Sequence, residues 1–381
     1  MSQSPKGQHS VQYVPRSDLV LPINQLSRPK GAKYDCEICG KPGKLMATEC
    51  PAYYCSYEHF DIDWRGIKSL IAQDLVYIKA DKGDQGEKKA EELKAVKKEL
   101  LELCTETAQK FLVQGKYDLA VPGALQGLKF AIEVYGSESV ELVASYLLLA
   151  EANLGLRKLK VAEEFLSLAN WNLLKEGGES KLMSHLQRNF GRLYAAQQRY
   201  QESIQAFAVD IYYSCQEHGP DHVRTAPSYF HMGRVFQSYQ KKQDRAEAFY
   251  SKVVSNVIGH FEKTSPTSSS SSGGGGAGAS SSSSQPVGEN GESSVDQITA
   301  VEAEEVFEIV KHIEDYRTKK QAEESDAMWA KGILEAQYCL GLLCLFMKDV
   351  NEARNYLSMV AGSSLKLSCV VAAKDLVETL V

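Results

Sequence analysis

The chain has 381 residues, enough for two or three domains, and its 49 acidic residues against 43 Lys and Arg leave a net charge of −6. No basic excess points to nucleic acid, no apolar stretch approaches the roughly 20 residues that span a bilayer, and the start, Met1-Ser-Gln-Ser-Pro5, lacks the apolar run of a signal peptide. The expectation is a soluble intracellular protein without nucleic-acid or membrane partners, in which clustered cysteines read as metal ligands rather than disulfides.

Residues 1–33 read as a flexible tail. The next segment, 34–72, holds Cys36-x2-Cys39, Cys50, Tyr53-Tyr54-Cys55, His59 and Asp63-Trp64. A segment this short cannot bury a core of its own, and a structural zinc site contributes on the order of 10 kcal/mol to folding. Cys36 and Cys39 form a knuckle, while Cys55 and His59 have the i, i+4 spacing of a first helical turn. The spacing predicts one zinc on Cys36, Cys39, Cys55 and His59, with Cys36, Cys39, Cys50 and Cys55 as the competing set. The remaining cysteines, Cys104, Cys215, Cys339, Cys344 and Cys369, lie among apolar residues and read as core thiols.

This order of ligands, followed by Asp63-Trp64, resembles a MYND zinc finger. The resemblance implies two interleaved zinc sites, the first on Cys36, Cys39, Cys55 and His59, with His59 standing where most members have cysteine. The second site's ligand positions fall on Ala47, Cys50, Ile67 and Ile71, so the second zinc is expected to be lost. MYND fingers typically bind proline-containing peptides, an activity that an intact second site supports.

The Lys/Glu-rich stretch over 73–97 reads as an exposed connecting helix. From 98 to 262 the apolar spacing is helical and a pattern recurs. Its members are Ala108, Phe111, Gly115, Tyr117, Ala120 and Ala124, then Leu149, Ala150, Ala162, Leu166 and Ala169. Gly191, Tyr194, Tyr200, Ser203 and Phe207 follow, then Gly233, Phe236, Ala246 and Tyr250. The equivalent small residues Ala120, Ala162, Ser203 and Ala246 are 42, 41 and 43 residues apart. This pattern resembles tetratricopeptide (TPR) repeats, lengthened from about 34 residues as in the kinesin-light-chain type, whose inter-repeat loop His218-Gly-Pro-Asp-His222 resembles. The predicted fold is all-α: a solenoid of TPR-type helical hairpins behind a small N-terminal MYND-like finger.

Residues 263–296 read as a disordered Ser/Gly-rich insertion. Beyond it, 297–381 offers an amphipathic helix around Ile298, Val306 and Ile313 and a weak further repeat on Leu340, Gly341, Cys344, Ala353 and Leu357. In TPR arrays the first helix of each pair lines a groove, which places Arg188, Asn189, Arg192, His231 and Arg234 as candidates for gripping a carboxylate or an acidic peptide. Glu102, Gln109 and Glu151 take the same face in earlier units.

A lysine methyltransferase of the SET-and-MYND type also joins a finger to helical repeats. It requires a catalytic domain with an Asn-His motif. No Asn-His dipeptide occurs here, and about 25 residues separate finger from repeats. The expectation is therefore no enzyme. Residues 34–260, above all Phe111-Leu-Val-Gln-Gly-Lys-Tyr-Asp-Leu-Ala-Val-Pro122 and Glu141-Leu-Val-Ala-Ser-Tyr-Leu-Leu-Leu-Ala-Glu151, are similar to the zinc finger MYND domain-containing protein twelve group of ciliary proteins. That resemblance implies a cytoplasmic, axonemal adaptor that works with another TPR protein and an inner-arm dynein heavy chain. The alternative is a cytosolic or nuclear adaptor for proline-rich or acidic peptides.

Overall fold

The computed structural model describes residues 17–24, 33–80, 87–176, 180–239, 243–264, 298–324 and 326–380. The expected insertion lies outside them from residue 265 on, as does the expected tail before residue 17 and from 25 to 32. The chain forms two compact units, Met1–Asn172 and Leu173–Val381.

The first unit opens with three short antiparallel strands, β1 (Val20–Pro22), β2 (Leu45–Ala47) and β3 (Tyr53–Tyr54), in that order. Their register pairs Val20 with Ala47 and Leu45 with Tyr54. Side chains alternate across such a sheet: Val20, Leu45, Ala47 and Tyr54 are buried, while Leu21 and Met46 are exposed. Leu19, Cys50, Phe60 and Ala72 complete the small core. Residues 20–22 were expected in a flexible tail. They are instead a strand, because Leu19 and Val20 supply apolar surface that the short finger otherwise lacks.

Helix α1 (Tyr57–Asp63) starts at Ser56, whose hydroxyl accepts from the His59 backbone N–H. It runs through one π-helical turn, Trp64–Lys68, into α2 (Ser69–Ala80). That wide turn buries Gly66, Ile67 and Lys68 together against the first hairpin, α3 (Glu87–Val113) and α4 (Tyr117–Tyr135). Ile67 and Ile71 pack with Leu100, Cys104 and Phe130. Gly66 lies so close that an added Cβ would stand 2.8 Å from the Leu119 carbonyl oxygen and 2.9 Å from Pro122 Cγ. The buried Lys68 ammonium donates to Gln126 Oε1 at 2.6 Å and sits 3.8 Å from Glu37, which also pairs with Lys129. The finger is thus joined to α4 by apolar contacts and by charge.

Of residues 73–97, expected as one connecting helix, 81–86 lie outside the described residues. The first part continues the finger's helix to Ala80, and the charged part opens α3 itself.

Helical hairpins then follow one another. In the first unit α5 (Leu142–Gly155) pairs with α6 (Leu159–Glu176), Tyr146 stacking on Phe165. In the second unit α7 (Ser180–Ala196) pairs with α8 (Tyr200–His218), and α9 (Ala226–Ser238) with α10 (Gln243–Thr264). There α11 (Ala300–Glu323) packs on α12 (Ala327–Phe346), which pairs with α13 (Val350–Ala361), and α14 (Ser368–Thr379) closes the unit.

Four of the turns between paired helices share one geometry. Gly115, Arg157, Gln198 and Lys348 each adopt a positive φ, between 61° and 69°. In each turn two backbone N–H groups reach back to the helix's last carbonyls, as Gln198 to Ala195 and Arg199 to Tyr194. The paired helices also approach at repeated points. A Cβ added at Gly191, Gly233 or Gly341 would fall 2.7 Å from Phe207, Tyr250 or Leu357 respectively. The small residues Ala120, Ala162, Ser203, Ala246 and Ala353 are fully buried. Repeated turns, glycine contacts and buried small residues make these TPR-type hairpins with long helices.

Candidate metal centre

The knuckle is a closed turn. Cys36 N–H donates to the Lys41 carbonyl at 2.8 Å, Gly40 N–H donates to the Cys36 carbonyl at 2.9 Å, and Gly40 takes φ +66°. Strand β3 delivers Cys55 opposite it, and the first turn of α1 delivers His59. Behind them the buried Tyr54 hydroxyl donates to Asp63 at 2.9 Å, and Tyr54, Phe60 and Trp64 pack ring to ring. Burial pushes the Asp63 carboxyl up from the usual carboxylate range. The Asp63-Trp64 pair therefore braces the helix that carries His59.

The ligand atoms of Cys36, Cys39, Cys55 and His59 all lie within 4.8 Å of one another. His59 Nδ1 is 3.4 Å from Cys36 Sγ and 3.3 Å from Cys55 Sγ, and the Cys39 and Cys55 sulfurs are 3.6 Å apart. A tetrahedral ion with sulfur at 2.3 Å and nitrogen near 2.05 Å requires edges of about 3.8 Å between sulfurs and about 3.5 Å between sulfur and nitrogen. The four side chains fit a metal ion on this test. Cys36 is buried and Cys39 exposed, so the site lies at the finger's surface.

Cys50, the alternative ligand, is not in this group. It is buried among Leu45, Ala52 and Phe60, and burial pushes its thiol up to about 11. The other positions matched to a second MYND site are apolar and buried: Ala47 in the finger core, Ile67 and Ile71 against α3 and α4.

The expected groove residues have mixed fates. Arg188 and Asn189 are not available to a partner. Arg188 Nε and Nη2 reach the Asp210 carboxylate at 3.1 and 3.4 Å, and Nη2 also donates to Ser228 at 3.0 Å. Asp210 is fully buried, so its charge requires that guanidinium. Asn189 is buried and donates to the His185 carbonyl. Arg192 is half-buried, with Nη1 3.5 Å from Asn189 Oδ1. His231 is half-buried and stacks on Phe207 with ring centres 5.6 Å apart. Burial, then the charges of Arg192, Arg188 and Arg234, hold its imidazole well below the usual range. Arg234 is exposed over the Phe230 ring. Of the earlier candidates, Glu102 and Gln109 are exposed on α3 and Glu151 is half-buried on α5.

Two side chains that the repeat pattern did not reveal belong to this region. Asp210 comes from the partner helix α8, and His312 comes from α11, beyond the Ser/Gly insertion. His312 lies against the Phe230 ring at 5.4 Å. An acid in the sequence Phe207-Ala-Val-Asp210 on an otherwise packed helix face was the available signal for the first. None existed for the second.

No family model matches the chain. Among solved structures, pilF of Pseudomonas aeruginosa is similar at a TM-score of 0.33 and 12% identity, over 73% of this chain and 98% of that one. The repeated turns and glycine contacts define the hairpin fold independently of that likeness.

Proposed function

We propose that this chain is a zinc-holding adaptor for protein–protein contacts, without catalytic activity, and a member of the zinc finger MYND domain-containing protein twelve group. It acts in the cytoplasm and in the ciliary or flagellar axoneme, with another TPR protein and an inner-arm dynein heavy chain as partners. The observation that carries the adaptor reading is the joining of the finger to the first of a series of helical hairpins, through Ile67, Ile71 and the buried Lys68. Hairpin repeats present extended surfaces suited to protein partners.

Three sulfurs and one imidazole in this arrangement favour zinc. Bound there, zinc cross-links the knuckle to the helix start. Four protein ligands leave no open position on the ion, so its role is structural. The axonemal location rests on the resemblance of stretches 111–122 and 141–151, whose residues build the α3–α4 turn and α5.

Fractionation of isolated cilia tests this reading. A tagged chain that stays with the axoneme after detergent and leaves it in high salt fits an adaptor held on the dynein machinery. Absence from the organelle, with a cytosolic or nuclear signal instead, overturns the axonemal assignment.

A further inference from the structure

Helices α7 and α9, the first helices of successive hairpins in the second unit, carry Lys181, Arg188, Arg192 and Arg234 and no Asp or Glu. In a chain of net charge −6 this is a local reversal of sign. Arg188 is neutralised by Asp210. Arg192 has partners of its own, Asn189 among them, and Arg234 stands over the Phe230 ring.

The Phe230 ring is the centre of the arrangement. The His231 ring lies 5.4 Å away, the His312 ring 5.4 Å away, and the Arg234 guanidinium 5.8 Å away. Arg234 and His312 are exposed, while Arg192 and His231 are half-buried. Helix α11 thus adds a third element to a face that α7 and α9 begin. Asp315 and Lys319 of α11 act on His312, and Lys311 and, one turn earlier, Glu308 are exposed beside it in sequence. The charges of Arg192, Arg188, Arg234 and His312 all reach His231, after burial, and Arg234 reaches His312. Three guanidiniums, one of them neutralised by Asp210, therefore act on the two imidazoles.

We propose that the face built by Arg192, His231, Arg234 and His312 is the docking site for an acidic segment of a partner protein, and this rests on the adaptor reading. The guanidiniums match carboxylates in geometry as well as charge. The His312 ring edge supplies a further donor. A nucleic-acid partner requires a longer basic track, whereas here Asp210 and Asp315 interrupt the positive field. His312 makes the site dependent on the part of the chain beyond the insertion.

The test uses the full chain and a fluorescein-labelled octaglutamate peptide, read by anisotropy at low salt, with an octaserine peptide as the control. The expected result is binding of octaglutamate and not octaserine. Arg192→Gln with Arg234→Gln should weaken it at least about tenfold, given two charge-assisted contacts removed. His312→Gln, at an exposed position on a different helix, should weaken it about threefold. Circular dichroism should show the helicity of both variants unchanged. Absence of octaglutamate binding, binding undiminished in the double variant, or displacement of the peptide by inorganic phosphate at matched ionic strength overturns the proposal. Retention of the double variant on the axoneme, together with undiminished peptide binding, overturns this surface and leaves the adaptor reading standing.

Discussion

Arg188→Ala leaves the Asp210 carboxylate fully buried, with the Ser184 hydroxyl as its remaining partner among the described residues. An uncompensated buried charge costs about 3 kcal/mol or more, so urea unfolding should show a loss near that size, where a solvated groove arginine would show almost none. The repeat pattern correctly places Arg188 on the first helix of its hairpin. It is silent about the residue opposite, because a helix face read alone does not include what its neighbour brings. Histidine gives a second prediction at this scale. His231 titrates well below the usual range in the folded chain, through burial and then the nearby arginines, and near 6.5 when unfolded. Below about pH 6.5 the unfolded chain therefore binds a proton that the folded chain refuses, and stability is lost as pH falls. The drop in urea midpoint between pH 7.5 and 5.5 should be smaller in His231→Gln than in the unaltered chain. An equal drop would show that another group carries the dependence.

The π-helical turn and the hairpin turns make the element-scale predictions. Gly66→Ala places a Cβ 2.8 Å from the Leu119 carbonyl oxygen, a backbone atom held inside α4. The joint between finger and first hairpin should lose about 1–3 kcal/mol, read as a lower melting temperature. An unchanged melting temperature would mean the finger is not seated on α4. Gln198→Gly acts in the opposite sense. Its φ of +63° is strained for a side-chain-bearing residue, and glycine should stabilise the α7–α8 hairpin by up to about 1 kcal/mol. Destabilisation there would show that the Gln198 side chain holds the turn. The hairpins were legible in the sequence because Gly191 with Phe207, and Gly233 with Tyr250, require close approach at nearly the same spacing. Strand β1 was not, since three residues, Val20-Leu-Pro22, carry too little alternation to stand out.

At the scale of the molecule, the first unit is a finger that stands on a hairpin rather than folding alone. Two of the places where the MYND resemblance implies further metal ligands, Ile67 and Ile71, face α3 and α4 as a fully buried apolar joint. A nearby buried ammonium, Lys68, ties the finger to Gln126 and Glu37. Four side chains that fit one metal ion and one packed interface thus stand where a segment too small to fold by itself needs them. The four metal-ligand candidates were readable from spacing alone, because a knuckle and a helix start are local structures. The interface was not, because Leu100, Cys104 and Phe130 are distant in sequence and looked like ordinary helix core. His312 was hidden for a similar reason, separated from Phe230 by the whole Ser/Gly-rich stretch.

The most direct test of this account is metal content by mass spectrometry on the purified full chain and two variants. The account predicts one zinc equivalent in the unaltered chain, one in Cys50→Ala, and close to none in Cys55→Ser, whose loss should also lower the melting temperature of the first hairpins. Two equivalents in the unaltered chain, or loss of the metal with Cys50→Ala, would contradict it.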